Sequence, residues 1–181
     1  MNNFIEKLKT KEGASTIEFL NSMLIYIILF VSAIELFFLG YKYIAIGSLA
    51  NNLVQVISIQ GGIQESSPSG YETDSVKYVN TQDILNSAES IAKSMGQKKE
   101  SLTIRVRYQK TQSDGTISHH DVTLKSNSNI KIEYGNWFEV TVQCKLENIL
   151  TGELVPINTS LSTISRTKGG VSQFEFNYNN V

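Results

Sequence analysis

A long apolar stretch near the N-terminus constrains this chain more than any other feature. It begins at Phe19, reaches about Ile46 and is interrupted by no proline. Residues 19–39 are long enough to cross a hydrocarbon core of about 30 Å as a helix that rises about 1.5 Å per residue. The sequence therefore predicts one transmembrane helix, with most of the remaining chain outside the lipid.

A single carboxylate, that of Glu18, stands at the start of this stretch, shortly after the small residues Gly13 and Ala14. An ionisable group inside a bilayer is costly unless a cation pairs with it. If the chain were cut after Gly13, Ala14 would carry a free ammonium and Glu18 would be the fifth residue of the mature protein. The amine of one subunit could then pair with the carboxylate of a neighbour.

The segment from Gly13 to Phe19 resembles the prepilin signal of type IV pilin-like proteins, in which a short basic leader ending in glycine precedes an apolar helix. Its Glu18-Phe19 pair is similar to the form found in TadE-like pseudopilins, which carry a class III prepilin signal. The resemblance covers residues 11–62 and includes Glu35 within the apolar stretch. The resemblance also includes Gly40-Tyr41, the helix from Leu49 to Ile59, in which polar residues are interspersed, and Gly61-Gly62.

This resemblance implies a minor pilin or pseudopilin of a Tad-like type IV pilus, or of a related secretion or conjugation apparatus. A membrane aspartyl prepilin peptidase would remove residues 1–13, which makes Gly13 and Ala14 the processing residues. Sister subunits would assemble through their apolar helices, with Glu18 and Phe19 as assembly residues. The assembly platform and its ATPase machinery would act indirectly, and the head would project outward for adhesion, priming or contact with other components.

Charge near the N-terminus predicts the orientation in the membrane. Three lysines, Lys7, Lys9 and Lys11, outnumber the acidic residues Glu6 and Glu12. Positively charged flanks tend to stay in the cytoplasm. We therefore expect a cytoplasmic N-terminus and an extracytoplasmic head, which an assembled pilus would carry outside the cell.

Two other fates of the apolar stretch remain open. Val31-Ser32-Ala33 fits the small-residue rule for signal peptidase, which would release a secreted domain beginning at Ile34. Alternatively, an uncleaved anchor would leave the chain beginning at residue 1 or 2. Prepilin processing is favoured because apolar residues continue past Ile34 to Leu39, whereas a cleavage region is normally more polar.

Glu35, inside the apolar stretch, has two interpretations. A helix beginning at Ala14 places it about 30 Å along the axis, so it lies near the outer interface and reaches water. In the other interpretation it meets a polar group on a neighbouring helix. Because Glu18 and Glu35 are seventeen residues apart, a rotation of about 100° per residue puts them on different faces, where they share no partner. The first interpretation is favoured.

Composition limits the remaining possibilities. With 181 residues, 41% of them hydrophobic, the chain holds one membrane segment and one modest globular domain. Its formal net charge of -1 provides no basic field, so direct binding to nucleic acid is not expected. Cys144 is the single cysteine, which excludes an internal disulfide.

The N-terminal helix is predicted to continue beyond the lipid, since apolar residues keep recurring at helical spacing. These are Ile46, Leu49, Leu53, Val56 and Ile57. Gly61-Gly62 ends this helix. The predicted order is a basic leader over 1–13, the helix over 14–60, a loop or hinge over 61–80, and an extracytoplasmic head over 81–181.

The head is predicted to be α+β, with one further helix and a four- or five-stranded antiparallel sheet. The helix spans about Thr81 to Met95, with Asn80 capping its start and Gly96 its end. Apolar residues alternate with polar ones in the predicted strands. These strands cover about residues 102–108, 117–124, 137–146, 157–166 and 173–178.

Motifs that would indicate catalysis are missing from the sequence. It contains no glycine-rich phosphate loop, no nucleophile elbow and no His-Glu-x-x-His helix. His119 and His120 are adjacent, so on a strand they point to opposite faces and cannot simply share one metal. Cys144 falls on the apolar side of a strand, where a thiol behaves as a small hydrophobe. We therefore expect neither an enzyme nor a cofactor.

The alternative function comes from another class. It is a single-pass membrane protein that never polymerises and uses its head as an extracellular binding or sensing module. Such a protein would retain residues 1–13, and Gly13→Leu would leave it unaffected. A third option, the secreted domain beginning at Ile34, would be recovered without detergent.

Overall fold

The computed structural model describes residues 11–67, 78–112, 114–146 and 163–173, with side chains from Ser15 onward. The chain divides into two compact units, Met1–Tyr41 and Lys42–Val181. In the described residues, the first unit consists of the N-terminal part of helix α1. The second contains the rest of α1 together with all the other elements.

Helix α1 spans Lys11–Gln60. Within the second unit its buried residues recur at helical spacing because one face packs on the sheet. These buried residues are Ile46, Leu49, Ala50, Leu53 and Ile57. The helix ends before Gly61, whose amide donates to the carbonyl of Ile57 at 2.9 Å. The helix and its end agree with the sequence prediction.

Strand β1, Gly62–Ile63, lies in the segment that the sequence predicts as a loop or hinge. It pairs antiparallel with β4, Ile130–Lys131, and sets Ile63 opposite Ile130, both fully buried. A loop was the wrong interpretation for these two residues, because so short a strand has no detectable alternation. Residues 68–77 of the predicted hinge lie outside the described residues.

Helix α2, Thr81–Ser94, confirms the second predicted helix. Its start is fixed by a reciprocal capping box, which satisfies two amides that have no partner within the helix. The Asp83 amide donates to the Asn80 side chain at 2.9 Å, and the Asn80 amide donates to the Asp83 carboxylate at 3.3 Å. Buried Ile84, Ala88 and Ala92 form the face that packs inward.

Four strands form the main sheet, in the order β3-β2-β5-β6 with every pair antiparallel. Their bounds are Leu102–Thr111 for β2, Ile117–Thr123 for β3, Trp137–Lys145 for β5 and Thr163–Val171 for β6. The α+β architecture predicted from the sequence is therefore confirmed.

One face of this sheet is the core. Val106 in β2 pairs with Val140 in β5, and both are fully buried. Both helices lie on this face: Gly170 in β6 is close to Val54 in α1, and Leu85 in α2 lines a groove together with Ile104 in β2. The opposite face carries mainly polar residues, which are half-buried or exposed.

Strand β6 overlaps the end of the strand predicted at 157–166 and extends beyond it; residues 157–162 of that prediction lie outside the described residues. It begins at Thr163 and continues to Val171, through Lys168-Gly169-Gly170, where the apolar alternation stops. Gly170 is needed there, since a Cβ would lie only 2.8 Å from the Phe138 ring. The sequence pattern therefore shows a break at a position that the packing requires to be glycine. The last predicted strand, over residues 173–178, lies outside the described residues beyond Gln173.

Candidate functional site

The N-terminal part of α1 presents apolar side chains on all sides. Each residue from Met23 to Phe30 is 51% to 71% exposed, and successive positions rotate by about 100° around the helix. None of the most apolar 18-residue window is buried. The helix is long and apolar enough to cross a membrane, which favours a single-pass membrane protein.

The predicted site residues lie along this helix. Gly13 and Ala14 are part of its backbone, and the side chains of Glu18 and Phe19 are exposed. The Glu18 carbonyl accepts a hydrogen bond from the Ser22 hydroxyl at 2.9 Å. Within the described residues, the Glu18 carboxylate has no hydrogen bond and no ion pair. Inside a bilayer, such a carboxylate would be costly unless a cation paired with it.

Glu35 is half-buried and lies seventeen residues further along α1. At about 1.5 Å per residue the two acidic residues are about 25 Å apart along the axis. The structure therefore does not bring Glu18 and Glu35 together. They are separate positions on one helix, in accord with the interpretation that they share no partner.

Cys144 is fully buried near the end of β5, where its sulfur lies 4.0 Å from the Ser101 hydroxyl. Burial raises the pKa of the Cys144 thiol, and the Ser101 hydroxyl and the Lys42 ammonium oppose part of this rise. A reactive thiol needs an accessible position and a lowered pKa. Cys144 is therefore a core residue, as its place in the strand pattern indicates.

A contact between α1 and β6 was not predicted from the sequence. The guanidinium carbon of Arg166 lies 3.8 Å from the centroid of the Tyr43 ring. Its Nε atom is buried, and no hydrogen-bond acceptor meets it in the part of the chain that the structure describes. A tyrosine directly after an apolar span is a signal for the membrane interface, so Tyr43 could have been found from the sequence. Arg166 could not.

The two adjacent histidines are both exposed on β3. The His120 ring stacks on Tyr108 with centroids 5.4 Å apart, while His119 belongs to the opposite face of the sheet. Among the described residues, no group of three or more His, Cys, Asp or Glu side chains could hold a metal ion. The structure places the histidine pair as the sequence pattern predicts.

Grooves on the head that are lined by described residues include an apolar one and a polar one. A groove of about 140 Å³ between α2 and the strands β2 and β3 is lined mostly by apolar residues, and the ion pair of Lys99 with Glu89, at 2.6 Å, lies at its edge. The second, of about 340 Å³, is polar. Its lining residues are Tyr108, Gln109, Lys110, Asn129, Lys131 and Glu133. Neither set pairs a nucleophile with an adjacent base in the way covalent catalysis requires.

Comparisons with known proteins find no match: no family model, no curated protein and no solved structure matches this chain. The exposed apolar helix and the residues at its start are therefore the features of this chain that bear on its function.

Proposed function

We propose that this chain is a minor pilin or pseudopilin subunit of a Tad-like type IV pilus, or of a related secretion or conjugation apparatus. A prepilin peptidase removes residues 1–13, and the mature subunit stays in the membrane through α1. Its N-terminus is cytoplasmic before processing and its head is extracytoplasmic. Assembly then joins sister subunits through their apolar helices, driven by the assembly platform and its ATPase.

The observation that carries this proposal is the carboxylate of Glu18, which has no partner among the described residues and lies on an exposed, mainly apolar helix. A charge in that setting requires a cation from another molecule or from a new chain end. Cleavage after Gly13 creates such a cation at Ala14, four residues before Glu18. A neighbouring subunit then supplies the amine, and its apolar helix covers the exposed side chains of α1.

The core of the head, which includes part of α1, supports the same proposal. Residues 42–60 of α1 form part of its core, so the helix that anchors the subunit also belongs to the globular fold. A subunit held through that helix can project its head for adhesion, priming or contact with other components. Neither groove of the head assembles a catalytic set, so we propose a structural or binding role for it.

The test is the mature N-terminus, measured by intact mass and terminal peptide analysis in a host with and without its prepilin peptidase. We expect a chain beginning at Ala14 only when the peptidase is present, and Gly13→Leu should block this processing. A chain that begins at residue 1 or 2 under both conditions would instead support the non-polymerising membrane protein. One beginning at Ile34 would mean that the apolar stretch is a secretion signal.

A further inference from the structure

The contact between Arg166 and Tyr43 fixes a guanidinium on the surface of α1. The ring face lies 3.8 Å from the guanidinium carbon, a distance at which a cation is attracted to an aromatic ring. A Cβ added at Gly47, one turn later, would lie 3.4 Å from Arg166 Nε, in ordinary van der Waals contact, so a side chain larger than alanine there would press on the guanidinium. Arg166 is therefore held in one place rather than extending freely into solvent.

The positive charge at this place has no counter-ion among the described residues. Among the described residues, surface side chains form ion pairs in other parts of the head. These pairs are Lys99 with Glu89 and Arg105 with Asp121. Burial lowers the pKa of the neighbouring Lys42 ammonium, whose electrostatic partner is the buried Cys144 thiol, so the charge offered to a ligand here is that of Arg166. A half-buried guanidinium without a counter-ion among the described residues is complementary to an anion, and its planar fork of donors suits the oxygens of a phosphate.

The position of Tyr43 in the chain indicates where such an anion comes from. Tyr43 is four residues beyond the predicted end of the span at Leu39, or about 6 Å along the helix. A bilayer of about 40–45 Å with a hydrocarbon core of about 30 Å leaves about 5–7 Å for each headgroup layer. Tyr41 and Tyr43 are 46% and 42% exposed, as expected for tyrosines at a membrane interface.

We infer that Arg166, positioned by Tyr43 and Gly47, binds the phosphodiester of a lipid headgroup at the membrane surface. The inference rests on the membrane-spanning helix of the proposed function and adds a ligand that neither processing nor assembly requires. Lipid binding here gives the Arg166 guanidinium the counter-ion that the described residues do not supply.

The test is lipid retention by the purified full chain in detergent micelles, measured by native mass spectrometry against added phosphatidylglycerol. We expect the wild type to retain this lipid, and Arg166→Gln to weaken its apparent affinity about tenfold, as the loss of one charge-assisted hydrogen bond predicts. Arg107→Gln is the matched control, since Arg107 is an exposed arginine on the opposite face of the sheet. It should keep wild-type retention.

Two further variants separate the contact from a general loss of folding. Gly47→Val keeps every charge but fills the space beside Arg166 Nε, so it should lower retention of phosphatidylglycerol. Tyr43→Leu should lower it by a smaller factor, since a cation–π contact is weaker than a charged hydrogen bond. Unchanged retention in Arg166→Gln and Gly47→Val would overturn the inference, and circular dichroism checks that each variant is folded.

Competing ligands give the remaining outcomes. If diacylglycerol with the same acyl chains is retained as tightly as phosphatidylglycerol, the headgroup is not recognised and the inference is wrong. If soluble glycerophosphate displaces the lipid at equal concentration, the site binds a free phosphate rather than a membrane lipid, which also overturns it. If Arg166→Glu blocks assembly and Glu35→Arg in a neighbouring copy restores it, the partner of Arg166 is a sister subunit and the inference of a lipid ligand is wrong.

Failure of this inference can be told apart from failure of the proposed function. Processing at Ala14 with no selective retention of phosphatidylglycerol would overturn the lipid site and leave the pilin proposal intact. Recovery of the chain from the medium without detergent would overturn both.

Discussion

At the scale of single residues, both the backbone conformation and the packing at Gly62 require glycine. Its φ of 144° is one that residues with a side chain rarely adopt, and an added Cβ would overlap the carbonyl oxygen of Ile130. Gly62→Ala should therefore lower the free energy of unfolding by about 3 kcal/mol, from backbone strain and overpacking together. Denaturant unfolding of the full chain in detergent measures this loss.

Gly115 is the matched control for that substitution. It also has a positive φ, 80°, but no atom lies within 4 Å of the position its Cβ would take. Gly115→Ala should lower the free energy of unfolding through backbone strain alone, by about 1 kcal/mol. Equal losses in the two variants would mean that the pairing of β1 with β4 adds little to the stability of the head.

At the scale of elements, the C-terminal part of α1 is both the continuation of the anchor and a component of the head. Ile57 is fully buried against the head, whereas Ile59, two positions later on the same helix, is 59% exposed. Ile57→Ala should reduce the free energy of unfolding of the head by about 3 kcal/mol, because a buried branched side chain leaves a cavity. Chemical denaturation followed by Trp137 fluorescence reports on this loss.

Ile59→Ala removes the same atoms from an exposed position and should change the free energy of unfolding by less than about 0.5 kcal/mol. A large effect at Ile59 together with a small one at Ile57 would contradict the packing of this helix face on the sheet.

At the scale of the whole molecule, the proposed function makes Glu18 a determinant of assembly rather than of insertion. In an assembly, wrong axial register would leave the Glu18 carboxylate and the Ala14 ammonium of a neighbour unpaired in lipid, which is costly. Glu18→Val should therefore reach the membrane in normal amounts but be largely absent from sheared pili or from cross-linked complexes with wild-type subunits.

The same substitution at the other intramembrane carboxylate, Glu35→Val, provides the comparison. If Glu35 lies at the outer interface and reaches water, this variant should assemble as the wild type does. Incorporation of Glu18→Val at the wild-type level would show that Glu18 does not set the register. Equal loss in both variants would mean that assembly requires polar groups along the whole span.

The sequence alone determined the elements whose signal is local. Apolar length specified a helix able to cross a membrane, a cap at Asn80 marked the start of α2, and alternation specified the buried face of β5. The same local reading located Glu18, because a carboxylate beside an apolar stretch is conspicuous without any knowledge of the fold. These features follow from periodicity, length and charge, which neighbouring residues are enough to reveal.

Only the tertiary structure decided the features that depend on residues far apart in the chain. The strand at Gly62–Ile63 exists because Ile130–Lys131 pairs with it. Strand β6 continues through Gly170, where Val54 of α1 and the Phe138 ring leave no room for a side chain. The contact of Arg166 with Tyr43 joins residues more than a hundred positions apart. No local pattern contains such information, because packing compares surfaces that meet only after the chain has folded.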